Sequence, residues 1–342
     1  MKHLISLVLA MSLCACATAN DSIKQLFKSV NPSVVELHVK ALSSPQPGEV
    51  KFHAATASSL GSGALVTSSG RILTASHVVD RATSIEVIYS DGTKSRGHVV
   101  WVDPIVDLAM IHAENVPEGI SPLPLAKSDS YSIGEQVVVI GAPLGVSHSL
   151  SVGYLSGIRD GQEIPGTNIK PRLLQTDAAI NKGNSGGPMF NLKGEIIGIV
   201  SYILSQSGGS EGLGFVVSVD TVHDVINSDP MTFLGFIPTL LNPELSQAIN
   251  NHAGYGILIQ QVIPNTLADV LGFKGGTISV LIGRTPILLG GDILLTINGI
   301  ELKDLESVIK AKQAFVSTPI GQEITFTYLR NGEVEELVWV KD

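Results

Sequence analysis

From residue 34 to 217 the chain alternates short apolar runs with clusters of Gly, Pro, Ser and Asp, which bars long helices and demands many turns. The runs are 34–39, 63–66, 85–89, 98–102, 108–111 and 136–140, then a second set at 149–157, 172–176, 188–190, 195–201 and 213–217. Runs of this length and spacing predict short antiparallel strands in closed or sandwiched sheets, a mainly β fold. Residues 41–60 and 159–171 read as long loops. Residues 21–29 have helical spacing, with Asp21 placed as a cap, and Asn31-Pro32 ends that helix. The texture changes at Asn227-Ser228-Asp229-Pro230, a turn-rich linker. Beyond it strands alternate with two helical stretches, 264–272 and 302–315, and the chain closes on a hairpin whose turn is Asn331-Gly332.

The chain has 342 residues, enough for two domains, and 44% hydrophobic residues, enough for packed cores. A formal net charge of −9 without a basic run argues against nucleic-acid binding. Residues 1–19 stand apart: Lys2, an apolar run from Leu4 to Leu13, then small residues. That layout is a secretory signal, too short to span a bilayer. Both cysteines, Cys14 and Cys16, fall inside it, so the mature chain has no disulfide and no thiol nucleophile. Two processing routes fit. One is cleavage before Asn20; the other is a lipobox ending at Cys16, which would be acylated as the new N-terminus.

Gly183-Asn184-Ser185-Gly186-Gly187-Pro188 carries the chemistry. A nucleophilic serine must project from a tight turn that a substrate backbone can approach, and flanking glycines permit both. The turn Gly183-Asn184-Ser185 is then the candidate oxyanion hole, through the N–H groups of Gly183 and Ser185. A serine hydroxyl needs a base, and His77 follows the apolar strand Ile72-Leu73-Thr74 among small neighbours, a setting no other histidine shares. The base needs a carboxylate to hold its tautomer. Asp107 opens the apolar run 108–111, whereas its rivals Asp103 and Asp80 read as turn and loop residues. No His, Cys or Asp cluster has metal-ligand spacing, so neither metal nor cofactor is expected.

The order His77, Asp107, Ser185 is that of chymotrypsin-type proteases. Together with Asn31-Pro32-Ser33-Val34-Val35, Asp107-Leu108-Ala109, Gly141-Ala142-Pro143-Leu144-Gly145, Gln175-Thr176-Asp177-Ala178-Ala179-Ile180-Asn181 and Gly212-Leu213-Gly214-Phe215, it resembles the HtrA (DegP-like) family. That resemblance implies a trypsin-like double β-barrel over 21–228 and one PDZ domain, α+β, over 231–342. It implies an exported serine endopeptidase of the periplasm or cell envelope that acts on unfolded polypeptides, captures peptide C-termini, and assembles as a homotrimer. The other class to test is a non-catalytic PDZ scaffold or holdase. Gly198-Ile199-Val200-Ser201-Tyr202 departs towards the digestive trypsin-like enzymes. By that likeness Ser201 hydrogen-bonds Asp107; otherwise it is a solvated strand serine. The pocket floor of such a fold falls at Ala179 and Ile180, with Ile203 beside them. It has no acid to pair a basic side chain and suits an aliphatic one, unless Ile180 is plain core. The carboxylate-binding loop of the PDZ domain falls at Phe233-Leu234-Gly235-Phe236, and residues 273–290 form an insertion relative to the usual form.

Overall fold

The computed structural model describes residues 22–42, 56–80, 82–142, 148–163, 169–205, 209–228, 234–263, 266–282 and 285–341. The export segment, both cysteines, the linker 229–233 and Phe233 lie outside them. Helix α1 (22–30) passes into a 3-10 turn at Asn31–Ser33 where Pro32 removes a donor.

Two closed six-stranded barrels follow. The first orders β1 (Val34–Leu42), β2 (Thr56–Leu65), β3 (Arg71–Thr74), β6 (Leu108–Ala113), β5 (Lys94–Asp103) and β4 (Ala82–Ile88). The short helix α2 (Ser76–Val79) caps β3. The second orders β10 (Pro188–Phe190), β11 (Ile196–Ile203), β12 (Gly214–Ser218), β9 (Arg172–Thr176), β8 (Ser149–Asp160) and β7 (Gln136–Gly141). The β1–β2 ladder runs out to Leu42↔Thr56, so the expected loop over 41–60 is shorter at both ends. Helix α3 (Val219–Ser228) continues from β12, a helix the sequence pattern did not predict, and reaches into the break expected at 227–230.

Each barrel has its own aliphatic core, around Leu37, Ile72 and Ile111 in the first and Leu155, Leu174 and Ile197 in the second. A third cluster fills the seam between them. It joins Leu73 and Leu108 to Ile140 and Phe190, and takes Leu26 and Val30 from α1 and Val222 and Val225 from α3. The two terminal helices of the barrel pair therefore clamp the barrels together.

The remaining chain forms a sheet in the order β13 (Phe236–Leu241), β14 (Gly256–Val262), β17 (Ile293–Ile297), β19 (Glu323–Arg330), β20 (Glu333–Val340), with β18 (Ile300–Glu301) on β17. Helix α4 (Pro243–Ala248) begins on the Asn242 cap, α5 (Leu267–Val270) is a single turn, and α6 (Leu305–Ser317) starts on a capping box between Asp304 and Ser307. This arrangement fits a PDZ domain. The expected insertion is not a plain loop: β15 (Ile278–Ile282) and β16 (Thr285–Leu289) pair within it as a separate hairpin. Between β19 and β20, Asn331 and Gly332 both take positive φ (52° and 87°), the backbone of a two-residue hairpin turn.

Candidate active site

The site lies where the two barrels meet. His77 is on α2, directly after β3, so its position is set by the end of a first-barrel strand. Asp107 stands one residue before β6, the strand paired with β3, at φ +56°. That pairing brings them together: His77 Nδ1 lies 3.0 and 2.9 Å from Asp107 Oδ1 and Oδ2. The His77 N–H donates to Oδ1 at 3.1 Å and Ser76 Oγ donates to the same oxygen at 2.9 Å. Ser201 Oγ donates to Oδ2. Burial pushes the Asp107 carboxyl up, but the hydrogen bonds and charge interaction with His77 and the Ser201 hydroxyl outweigh it and hold the carboxyl below the ordinary carboxylate range.

Ser185 comes from the second barrel on the turn before β10. Gly186 takes φ +80°, and a Cβ there would fall 2.1 Å from Thr74 Oγ1 and 2.3 Å from the Ser62 carbonyl. Only glycine lets the serine turn press this closely against the first barrel. Ser62, fully buried on β2, then pins the turn. Its N–H donates to the Ser185 carbonyl at 2.8 Å, its Oγ donates to the Gly183 carbonyl at 2.7 Å, and it accepts from the Ala142 N–H at 3.0 Å. Gly183 has φ +100°, and among the described residues the N–H groups of Gly183 and Ser185 have no acceptor. They are free for an incoming oxygen. Asn184 between them is buried, with its Nδ2 3.5 Å from the Ala179 carbonyl. Ser185 Oγ donates to the Ser201 carbonyl at 3.4 Å; among the described residues it makes no hydrogen bond to His77.

A cleft of about 580 Å³ opens beside this group, lined by His77, Asp107, Ser201, Tyr202, Ile105 and Ile237. Tyr202 is braced by stacking on Phe215, ring centroids 4.9 Å apart. Of the expected pocket residues, Ala179 is exposed, Ile180 is buried in the second-barrel core with its Cδ1 against Gly214, and Ile203 packs on that same cluster. Of the rival carboxylates, Asp103 caps the Ile105 and Val106 N–H groups at 3.0 and 3.4 Å, and Asp80 lines the same cleft as His77. Sequence reasoning missed Ser62 and Ser76. The small-residue run Gly61-Ser62-Gly63 inside a strand was the one available signal for Ser62, since it marks a close backbone approach.

Of the expected carboxylate loop, Leu234, Gly235 and Phe236 are described. Gly235 takes φ +86°, and its carbonyl accepts from the Ile263 N–H at 2.8 Å and from Thr266 Oγ1 at 3.0 Å. Among the described residues the Leu234 and Gly235 N–H groups have no acceptor. Next to them a second cavity of about 290 Å³ runs between β13 and α6, lined by Leu234, Phe236, Leu240, Leu294 and Val308, with Pro104 and Ile105 at its wall.

Comparison with known proteins agrees with this geometry. Residues 61–199 match the trypsin-like peptidase domain. The chain is 34% identical over 282 residues to the periplasmic serine endoprotease DegP of Escherichia coli K12, covering 80% of this chain and 55% of that protein. It is 32% identical over 324 residues to a probable periplasmic serine endoprotease, DegP-like, of Buchnera aphidicola, covering 92% and 63%. The chain thus spans little more than half the length of these relatives. Among solved structures, a variant of the HtrA-type protease AlgW with decapeptide superposes with a TM-score of 0.52 at 26% identity, covering 93% of this chain and 96% of that one.

Proposed function

The chain belongs to the HtrA (DegP-like) family of trypsin-like serine proteases, and from that premise we propose that it is a serine endopeptidase with His77, Asp107 and Ser185 as its triad. The observation that carries the reading is the four-donor clamp on Asp107, which fixes His77 beside a serine on a turn with two unpaired N–H groups. Asp107 accepts from His77 Nδ1–H and so leaves Nε2 as the lone-pair nitrogen. A turn of the Ser185 side chain, away from the Ser201 carbonyl, brings Oγ towards that nitrogen. His77 then takes the hydroxyl proton as Oγ attacks the scissile carbonyl. The Gly183 and Ser185 N–H groups receive the charge that develops on the carbonyl oxygen. His77 returns the proton to the leaving amine, and water repeats the sequence on the acyl-enzyme.

In this reading the protease part is 21–228 and the PDZ part 231–342. Unfolded or damaged polypeptides are the substrates, and a peptide C-terminus adds to β13 with its carboxylate on the loop around Leu234 and Gly235. The apolar wall of Ala179, Ile180 and Ile203 favours small or medium aliphatic residues before the cleaved bond. The chain works in the periplasm or cell envelope, freed by cleavage of residues 1–19 or anchored through acylated Cys16, and assembles as a homotrimer. Mass spectrometry of the mature N-terminus separates the two routes.

The deciding experiment is labelling of the purified chain with a fluorophosphonate, beside cleavage of an unfolded protein. Wild type is expected to label and cleave, and Ser185→Ala to do neither. Equal cleavage by Ser185→Ala would overturn the assignment. A wild type that never labels would favour the scaffold reading.

A further inference from the structure

Ser62 is fully buried on β2 and lines neither of the two cavities. Each of its polar groups is nonetheless engaged, and with a different stretch of chain. The N–H donates to the Ser185 carbonyl at 2.8 Å, and the hydroxyl donates to the Gly183 carbonyl at 2.7 Å. The hydroxyl oxygen also accepts from the Ala142 N–H at 3.0 Å, and the Ser62 carbonyl accepts from Thr74 Oγ1 at 2.8 Å. One residue thus ties β2 to the end of β7, to the strand that leads to His77, and twice to the serine turn. The space around it is kept clear. A Cβ on Gly141 would fall 2.9 Å from the Ser62 Oγ, and one on Gly187 would fall 3.1 Å from the Ser62 Cβ. A buried hydroxyl costs free energy unless it is paired, and this one is paired twice.

Along the serine turn the peptide groups alternate between held and free. The Gly183–Asn184 peptide is held at both ends, its C=O by the Ser62 hydroxyl and its N–H by the Asn181 carbonyl at 3.0 Å. The Ser185–Gly186 peptide is held likewise, its C=O by the Ser62 N–H and its N–H by the Val200 carbonyl at 2.8 Å. The other two peptides carry the oxyanion donors. That of Asn184–Ser185 is anchored at its C=O, which accepts from the Gly187 N–H at 2.9 Å. That of Lys182–Gly183 has no hydrogen bond at either end among the described residues. Its plane is set by its neighbours along the chain, and the nearest hinge is Gly183 itself, at φ +100°, with no Cβ to resist rotation. The Ser62 hydroxyl is the fixed point next to that free peptide.

We propose that Ser62 is a positioning residue of the protease: its hydroxyl, acting through the Gly183–Asn184 peptide, keeps the Gly183 N–H directed at the oxygen of the attacked carbonyl. This rests on the protease reading above. Ser62 touches no reacting atom. Its effect falls on the charge that develops during attack, because the carbonyl of a resting substrate gains little from the two N–H groups. Loss of the hydroxyl therefore belongs in kcat and not in KM. Ser62→Ala deletes that one oxygen and leaves the main-chain bonds to Ser185 and Thr74 in place.

The test uses the full chain and two readouts. One is fluorophosphonate labelling of Ser185, followed both as a rate and as the fraction of molecules finally labelled. The other is steady-state cleavage of fluorescein-labelled casein, an unfolded protein. Ser62→Ala is expected to reach the wild-type final fraction about 10–100-fold more slowly, somewhat less than the loss of an oxyanion donor outright. Its casein kcat is expected to fall alike with KM unchanged. Ser62→Cys, whose thiol is a weaker donor, is expected to fall between wild type and Ser62→Ala. Equal labelling rates in wild type and Ser62→Ala would overturn the proposal. So would labelling of fewer Ser62→Ala molecules at the wild-type rate, since the hydroxyl would then serve folding alone, and so would a raised KM at unchanged kcat. Should Ser62→Ala fail to fold, a wild-type labelling rate in Ser62→Cys would overturn it equally. Failure of wild type to label or to cleave would overturn the protease reading and this role with it.

Discussion

Asp107 collects four donors on two oxygens, and two of them are serine hydroxyls from different barrels. Removing one leaves the carboxylate short of a charge-assisted hydrogen bond, worth about 1.5–3 kcal/mol. Ser201→Ala is therefore expected to lower kcat about tenfold with little change in KM, read by steady-state cleavage of a peptide reporter. The pH sign follows from the depressed Asp107 pKa. A carboxyl depressed on folding contributes stability above its unfolded value, near 3.9, and loses it only as pH falls through the lower folded value. Taking away the Ser201 hydroxyl raises the folded value, so less of that stability remains. In denaturant titrations at a series of pH values, Ser201→Ala should lose stability at higher pH than wild type. A superimposable pH profile for the two proteins would contradict it. Neither Ser76 nor Ser62 was legible beforehand. Ser76 meets Asp107 across 31 positions and Ser62 meets Gly183 across 121, and only the closing and docking of the barrels creates those contacts.

At the scale of elements, the turn before β10 depends on glycine for two separable reasons. Gly186 and Gly92 both have positive φ, 80° and 85°, but a Cβ on Gly92 would meet nothing within 4 Å while one on Gly186 would strike backbone and Thr74. Gly92→Ala should cost only the backbone penalty, about 1–2 kcal/mol. Gly186→Ala should cost clearly more and also abolish fluorophosphonate labelling. Equal denaturation midpoints for the two variants would show that the turn yields. In the C-terminal sheet, Asp292 is almost fully buried and receives Arg330 through Nε at 2.8 Å and Nη2 at 2.6 Å, with the Lys274 N–H at 2.7 Å. Asp292→Ala removes the bidentate partner of Arg330, which keeps only the Gly272 carbonyl at 3.0 Å and Glu335 at 3.8 Å, and takes the acceptor from the Lys274 N–H, so it should destabilise that sheet by about 1.5–3 kcal/mol in urea melts. The strands were readable because each is a short apolar run between turn residues, and the β19–β20 hairpin because Asn331-Gly332 dictates its turn. The β15–β16 hairpin was not, since Gly283 and Pro286 break its alternation and the run resembles a loop. Nor was helix α3, whose apolar spacing of Val219, Val222 and Val225 runs straight on from the apolar strand β12 and ends within the turn-rich 227–230.

At the scale of the molecule, the C-terminal sheet is part of how the barrels are covered. Ile237 is buried against the first barrel, and a fully buried aliphatic side chain contributes about 1.5–3 kcal/mol. Deleting 231–342 should lower the thermal midpoint of what remains, by about 2–4 °C for each kcal/mol lost. An unchanged midpoint would mean that the contact carries no stability. The mainly β character of the barrel part, and the alternation of strands and helices beyond it, were plain from the sequence pattern, but the seating of one part on the other was not, because no local pattern marks Pro104, Ile237 or Gln261 as an interface. Barrel closure has one more consequence. A sheet that returns on itself has no border strand, so neither barrel presents a row of unpaired main-chain donors and acceptors. Among the described residues the strands with an unpaired side belong to the C-terminal part: β13, β20 and the short β18 in its main sheet, and β15 and β16 in the separate hairpin. A molecule surrounded by unfolded chains meets partners that seek to extend any strand they find. Here such templated growth is confined to the C-terminal part, and Ser185 sits on architecture that an aggregating chain cannot lengthen.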